Sequence, residues 1–210
     1  MARTLLLDLD KTLINVEDHT DYCAAVEAAR SHLGRIPDAP DVPDTSWGRC
    51  TKVAMDVLVT LSGRPEWEEV SSLFEDFEAR GAERAEAMPG LHDFLRAIAG
   101  RPRAIVTLCG PRSANRVCER HDVEVDAIVT RSPEARIKPA PDQVQQALAA
   151  LNAQPESSVM IGDSAWDEGA ARAAGVAFIG LTNGKPTRQF SADCPLASNL
   201  TEAIPLILEP

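Results

Sequence analysis

Positive charge is in short supply in this chain. Against 32 aspartates and glutamates stand 21 lysines and arginines, for a formal net charge of −11. Only four of those basic residues are lysines. Nucleic-acid backbones are held by basic stripes, so no nucleic-acid partner is expected. The same charge opposes docking on an anionic membrane surface. Long apolar runs are also missing. Nothing reaches the length of a membrane span, and Leu5-Leu6-Leu7 is too short for the apolar region of a secretory leader. The expected location is therefore the cytoplasm. Aromatic residues make up 4% of the chain, which gives little support for stacking on bases. Cys23, Cys50, Cys109, Cys118 and Cys194 are odd in number and scattered, with no Cys-x-x-Cys. Neither a disulfide framework nor a zinc site is expected, and the thiols are expected to be reduced.

What is present is an alternation of strands and helices. With 210 residues there is room for one sizeable core plus a small insert. Apolar runs predict five strands: 3–8, 103–107, 126–130, 159–161 and 176–179. Between them lie helical patterns near 91–98, 112–121, 141–151 and 167–174, and Asn199-Leu-Thr-Glu202 resembles a capping box for a terminal helix. Strands that alternate with helices predict a parallel sheet covered on both faces. The stretch 16–86 is different. Tyr22, Val26, Ala29 and Leu33 mark one helical face, stopped by Gly34. Pro37, Pro40 and Pro43 mark a loop, and two further helical patterns follow. The acidic residues from Glu68 to Glu86 are expected on a solvated face. The predicted organisation is a Rossmann-like α/β core, residues 1–15 and 87–210, with a five-stranded parallel sheet. A helical cap, residues 16–86, is inserted directly after the first strand and can lie over its end.

The chemistry is expected at the strand ends. Asp8-Leu9-Asp10-Lys11-Thr12 delivers two carboxylates at the end of the first strand, where open α/β sheets bind ligands. Their repulsion requires a proton, a basic partner or a metal ion. Thr107 ends the second core strand, and its hydroxyl and the Leu108 N–H are suited to a phosphoryl oxygen. Lys138 lies in a loop fixed by Pro139 and Pro141, a compact point charge for a carboxylate or phosphate. Gly162-Asp163-Ser164-Ala165-Trp166-Asp167 places Asp163 at another strand end and Asp167 in the first turn of a helix. Taken singly, each has an ordinary explanation: a polar turn, a β-branched strand residue, a surface lysine, a helix cap.

Taken together and in this order, the four segments resemble the motifs of the haloacid dehalogenase superfamily of phosphohydrolases. The resemblance spans nearly the whole chain. Its one departure is Lys11, where glycine is the commonest family residue. The insert resembles the helical cap of the subgroup that contains phosphoglycolate phosphatase and the β-phosphoglucomutases. The resemblance implies a magnesium-dependent phosphatase for a small phosphorylated substrate. Asp8 would be the nucleophile and Asp10 the acid–base carboxyl. Leu9, Thr107, Leu108 and Lys138 would bind the phosphoryl group, and Asp8, Asp10 (through its carbonyl), Asp163 and Asp167 would hold Mg²⁺. The rivals are a phosphomutase, a phosphonate hydrolase using Lys52 in the cap, and a non-catalytic binding protein on the same fold. Substrate choice would fall to cap residues such as His19, Arg35, Trp47, Arg49 or Arg64.

Overall fold

The computed structural model describes residues 3–185 and 189–208. Its centre is a six-stranded, all-parallel sheet in the order β5-β4-β1-β6-β7-β8. The strands are β1 (Thr4–Leu7), β4 (Arg103–Val106), β5 (Ala127–Val129), β6 (Ser158–Gly162), β7 (Ala177–Leu181) and β8 (Leu196–Ala197). The α/β class is as expected, with one strand more than the five expected from sequence. β8 is two residues long, too short to leave a periodic apolar run.

Side-chain alternation sorts β1 between the two faces of the sheet. Leu5 and Leu7 join a core with Phe94, Val117 and Ile207. These belong to α4 (Leu91–Ala97), α5 (Pro111–Arg120) and α8 (Leu200–Leu208). Leu6 faces the opposite way, toward Val144, Leu148 and Ala170. That face is covered by α6 (Asp142–Ala150) and α7 (Ala165–Ala173). All three leucines are fully buried, each worth roughly 1.5–3 kcal/mol. The capping signal before α8 operates with a shift: Asn199 accepts from the Glu202 N–H at 3.1 Å, while Glu202 accepts from Ser198 N–H at 2.9 Å.

The inserted stretch forms α1 (Tyr22–Leu33), α2 (Arg49–Leu61) and α3 (Glu66–Ala82). Gly34 ends α1 in a left-handed conformation, φ 76°, as its position predicts. The ends of the insert are tied by a short antiparallel pair, β2 (Ile14–Asn15) with β3 (Glu86–Ala87). The three helices bury Val26, Met55, Leu58 and Phe74 together with Leu108, Ile137 and Trp166 from the sheet side.

Two expectations are corrected here. First, the acidic residues of α3 are not all solvated: Glu75 and Glu78 are buried. Glu78 lies 2.6 Å from the Arg131 guanidinium, both side chains 0% exposed. Arg131 also donates to Ser71 Oγ at 2.9 Å and to Leu108 O at 2.6 Å, which locks α3 to the loop after β5. Second, Cys23 and Cys50 form a disulfide with Cα atoms 5.0 Å apart, joining α1 to α2. The bond joins the first turns of the two helices, which tertiary packing brings together although the cysteines are 27 residues apart in sequence. Cys109, Cys118 and Cys194 are free and buried, as expected.

Candidate active site

The chain leaves β1 and crosses to β4 on one side of it, while β6 lies on the other. This is the reversal point at which open α/β sheets form a crevice. Asp8 extends the ladder by one step, its N–H donating to Ile161 O at 2.9 Å. Thr107 does the same beside it, donating to Val129 O at 2.9 Å. Asp163 follows β6 directly. The sheet thus brings the ends of three strands together, although the residues are more than fifty positions apart. Together with the inserted helices they border a cleft.

Lys138 is the hub. Its ammonium donates to Asp8 Oδ1 at 2.7 Å, Asp167 Oδ1 at 2.5 Å and Val106 O at 3.0 Å. Burial works against its charge, but the Asp167 and Asp8 carboxylates outweigh that and hold it protonated. Asp8 is pushed up to about 6 by burial and by the Asp167 charge, against the pull of Lys138. Asp167 is oriented from behind: Ser164 N–H and Oγ both donate to its Oδ2, in a capping box that starts α7. Gly162 is required at its place, because a Cβ there would stand 2.5 Å from the Asp167 side chain.

Asp10 turns the other way. Its Oδ1 accepts from Val16 N–H at 2.8 Å and Glu17 N–H at 3.0 Å, in the turn that leads into the insert. Burial and the Glu17 charge raise it to about 7, so it exchanges a proton near neutrality. Lys11, between the two motif acids and Thr12, has φ 59°. That left-handed conformation is the physical reason a glycine would suit the position. Lys11 itself is engaged by Asp18, 2.5 Å away.

Asp8, Asp163 and Asp167 offer carboxylate oxygens that all lie within 4.8 Å of one another. Three buried carboxylates share one ammonium. Asp163 is accordingly raised well above the usual carboxylate range, by burial and by its neighbours Asp8, Asp167 and Asp10. A hard divalent cation with oxygen ligands would relieve this excess, so the donor set fits one. The Asp10 carboxylate stands outside this group.

Several supporting residues lay outside the motifs or, like Trp166, had no role assigned within them. Gln143 donates to Thr107 O at 2.9 Å and accepts from Lys138 N–H at 3.0 Å, bracing two motif segments at once. Gln189 donates to Asp163 O at 2.8 Å and accepts from Ser46 N–H at 3.0 Å. Trp166 donates to Pro43 O at 2.7 Å. The last two pin the proline-containing loop to the acidic end of the sheet. The only sequence signal for Gln143 was a polar residue beside the apolar Val144. Of the five residues of the insert expected to choose substrate, Trp47 lines the cleft and Arg49 borders a neighbouring opening. Arg64 lines a separate surface groove with Trp67. His19 and Arg35 border neither the cleft nor that opening. Lys52, the residue a phosphonate hydrolase would need, is paired with Asp56 and lies 5.3 Å from the Trp166 ring centroid, outside the cleft lining.

Residues 2–175 match the family model of haloacid dehalogenase-like hydrolases. A phosphoglycolate phosphatase of Chromobacterium violaceum is 29% identical over 87% of this chain and 86% of its own length. A validoxylamine A 7'-phosphate phosphatase of Streptomyces hygroscopicus subsp. limoneus is 28% identical over 96% of both. A predicted phosphatase of Clostridium acetobutylicum has the same fold, with a TM-score of 0.74 at 19% identity over the full length of both chains. Among the described residues no helix is long and apolar enough to cross a membrane. By the extent of the family match, and with the four motif segments assembled at one sheet edge, the chain belongs to the haloacid dehalogenase-like hydrolases.

Proposed function

We propose that the protein is a magnesium-dependent phosphatase that hydrolyses a small phosphorylated metabolite through a phospho-aspartate at Asp8. The observation that carries this reading is the Lys138 ammonium, held between Asp8 and Asp167 at 2.7 and 2.5 Å, with the Asp10 carboxyl nearby and near neutrality in its titration. Lys138 keeps Asp8 ionised and pointed. An Asp8 oxygen attacks phosphorus while Asp10 protonates the departing alcohol oxygen. Asp10 then takes a proton from water as that water displaces Asp8 and releases phosphate. Thr107 with the Leu9 and Leu108 N–H groups would receive the phosphoryl oxygens. Asp8, Asp163, Asp167 and the Asp10 carbonyl would hold Mg²⁺. When bound, the ion supplies positive charge where the transferring phosphoryl group becomes most negative.

Residues 16–86 would act as the cap over a core of residues 1–15 and 87–210, closing over the substrate and excluding water. Phosphoglycolate and validoxylamine A 7'-phosphate, the esters in two relatives' names, are candidates to be tested. A cytoplasmic setting stays part of the proposal, with the Cys23–Cys50 disulfide as the observation against it, because such bonds are rare in reducing compartments. The test is phosphate release from a panel of small phosphate esters, with Mg²⁺ and with excess chelator. Metal-dependent release is expected. Full turnover in chelator would sink the scheme, and conversion of a sugar phosphate to its isomer would make the protein a mutase.

A further inference from the structure

The loop that joins α1 to α2, residues 34–48, carries Trp47 into the wall of the cleft. Two ties seat that loop on the core. Trp166 donates to Pro43 O at 2.7 Å and packs edge-on against Trp47, ring centroids 5.0 Å apart. Gln189 accepts from Ser46 N–H at 3.0 Å. The second tie reaches further than the first, because the other end of the Gln189 amide donates to Asp163 O at 2.8 Å. That carbonyl belongs to the same planar group as the Ser164 N–H, and in a trans peptide the two point in opposite directions. On the far side, Ser164 N–H donates to Asp167 Oδ2 at 3.1 Å. Asp167 Oδ1 accepts from Lys138 at 2.5 Å, and Lys138 donates to Asp8 at 2.7 Å. An unbroken run of hydrogen bonds thus leads from the backbone of the insert to the Asp8 carboxylate.

We propose that Gln189 is a positioning residue that couples the seating of this loop to the aim of Asp8. The proposal rests on the phosphatase reading above and deepens it. Asp163, Ser164, Asp167, Lys138 and Asp8 are each 4% exposed or less, so water does not compete for the bonds between them, and bonds in such surroundings polarise one another. Gln189 stands on a firm base. Phe190 is buried in the core beside α7, and Ser191 N–H donates to the buried Glu168 carboxylate at 3.0 Å. With the loop seated, the Gln189 amide is held at both ends and fixes the plane of the Asp163–Ser164 peptide. That plane orients Asp167, which shares the Lys138 ammonium with Asp8. With the loop lifted, Gln189 keeps one partner and the peptide is free to tilt. Asp167 follows it, because Ser164 Oγ also donates to Asp167 Oδ2 at 2.5 Å. The wall that Trp47 forms and the alignment of Asp8 therefore arise together, when the insert lies down over a substrate. A displacement of about 1 Å at the reacting atoms is enough to matter for rate.

The test uses the full chain and Gln189→Met, which keeps the length of the side chain and removes both bonds. With Mg²⁺ and p-nitrophenyl phosphate, kcat should fall by about tenfold or more, and by more than KM rises. The Ser164 amide proton, followed by NMR without metal or substrate, should move upfield as its peptide group loses the Gln189 bond on the opposite side. Trp166→Phe is the comparison. It breaks the other tie of the same loop and leaves the Gln189 bond to Asp163 O in place, so it should raise KM more than it lowers kcat. An unmoved Ser164 amide in Gln189→Met, or equal kcat losses in the two variants, overturns the coupling and leaves the phosphatase reading standing. If the unaltered protein, folded and supplied with Mg²⁺, releases phosphate from no ester, the phosphatase reading falls. A moved Ser164 amide would then still support the link from Gln189 to Asp167, and an unmoved one would overturn that as well.

Discussion

Two buried ion-pair clusters lie near the β4 end, and they are built to different rules. At Glu78–Arg131 the charges match one to one. Arg131 reaches both Glu78 oxygens, at 2.6 and 2.9 Å, and spends its other donors on Ser71 and Leu108. Glu78 completes its shell with the Tyr22 hydroxyl at 3.1 Å and Gly110 N–H at 2.9 Å. Nothing is left over to attract a ligand. At Lys138 a single ammonium answers Asp8 and Asp167 directly, with Asp163 beside them. That cluster carries surplus negative charge and opens into a cleft. A saturated buried ion pair holds two elements together, whereas an unsaturated one calls for a cation and a substrate from outside.

The comparison breaks most sharply at Asp8. Asp8→Asn keeps the shape and removes the proposed nucleophile, so phosphate release should fall by at least about 10⁴-fold. Its urea unfolding midpoint should stay at or above that of the unaltered protein, since one of the clustered charges is gone. An active, well-folded Asp8→Asn protein would remove Asp8 from the nucleophile role. The opposite pattern is expected at the saturated pair. Arg131→Met strands Glu78 and should lower the unfolding free energy by about 3–5 kcal/mol, read from denaturant melts. A double variant, Arg131→Met with Glu78→Met, should regain much of that loss; a double variant as unstable as the single one would mean the pair itself, not the orphaned charge, was the source of stability.

The disulfide offers a second tie of the structural kind. Reducing Cys23–Cys50 should lower the unfolding free energy by about 3 kcal/mol, because it frees a loop spanning a separation of 27 residues. A melt unchanged by reductant, with both thiols then titrating, would contradict this. Gln143 gives the smallest effect and sits on the reactive side. Gln143→Leu leaves the Thr107 carbonyl and Lys138 N–H unpaired, and kcat should fall by about 10- to 100-fold with substrate KM less affected. An equal loss at Ser71→Ala, which touches only the Arg131 cluster, would erase the distinction between the two.

The motif segments were legible because each is local. Asp8 follows three leucines, Asp163 follows Val159-Met160-Ile161, and a strand's end is where its side chains reach the ligand edge. The burial of Glu75 and Glu78 was not legible. An acidic stripe on α3 has the same period whether it meets water or an arginine, and the arginine that decides the matter is 53 residues further on. The β2–β3 pair escaped for a related reason. Two strands of two residues carry no alternation, and Ile14 finds its partner only at Ala87.

Sequence by itself determined the alternating α/β core, the place of the helical insert, and the identity and order of the carboxylates, threonine and lysine at the strand ends. These depend on short-range periodicity and on side-chain chemistry that the chain carries wherever it folds. Tertiary structure alone decided which of two acidic clusters would be saturated, that Cys23 would meet Cys50, that Gln143 would brace two motifs, and that the insert would bring Trp47 rather than an arginine to the cleft. Each of those outcomes is a pairing of distant residues, set by how helices and strands pack.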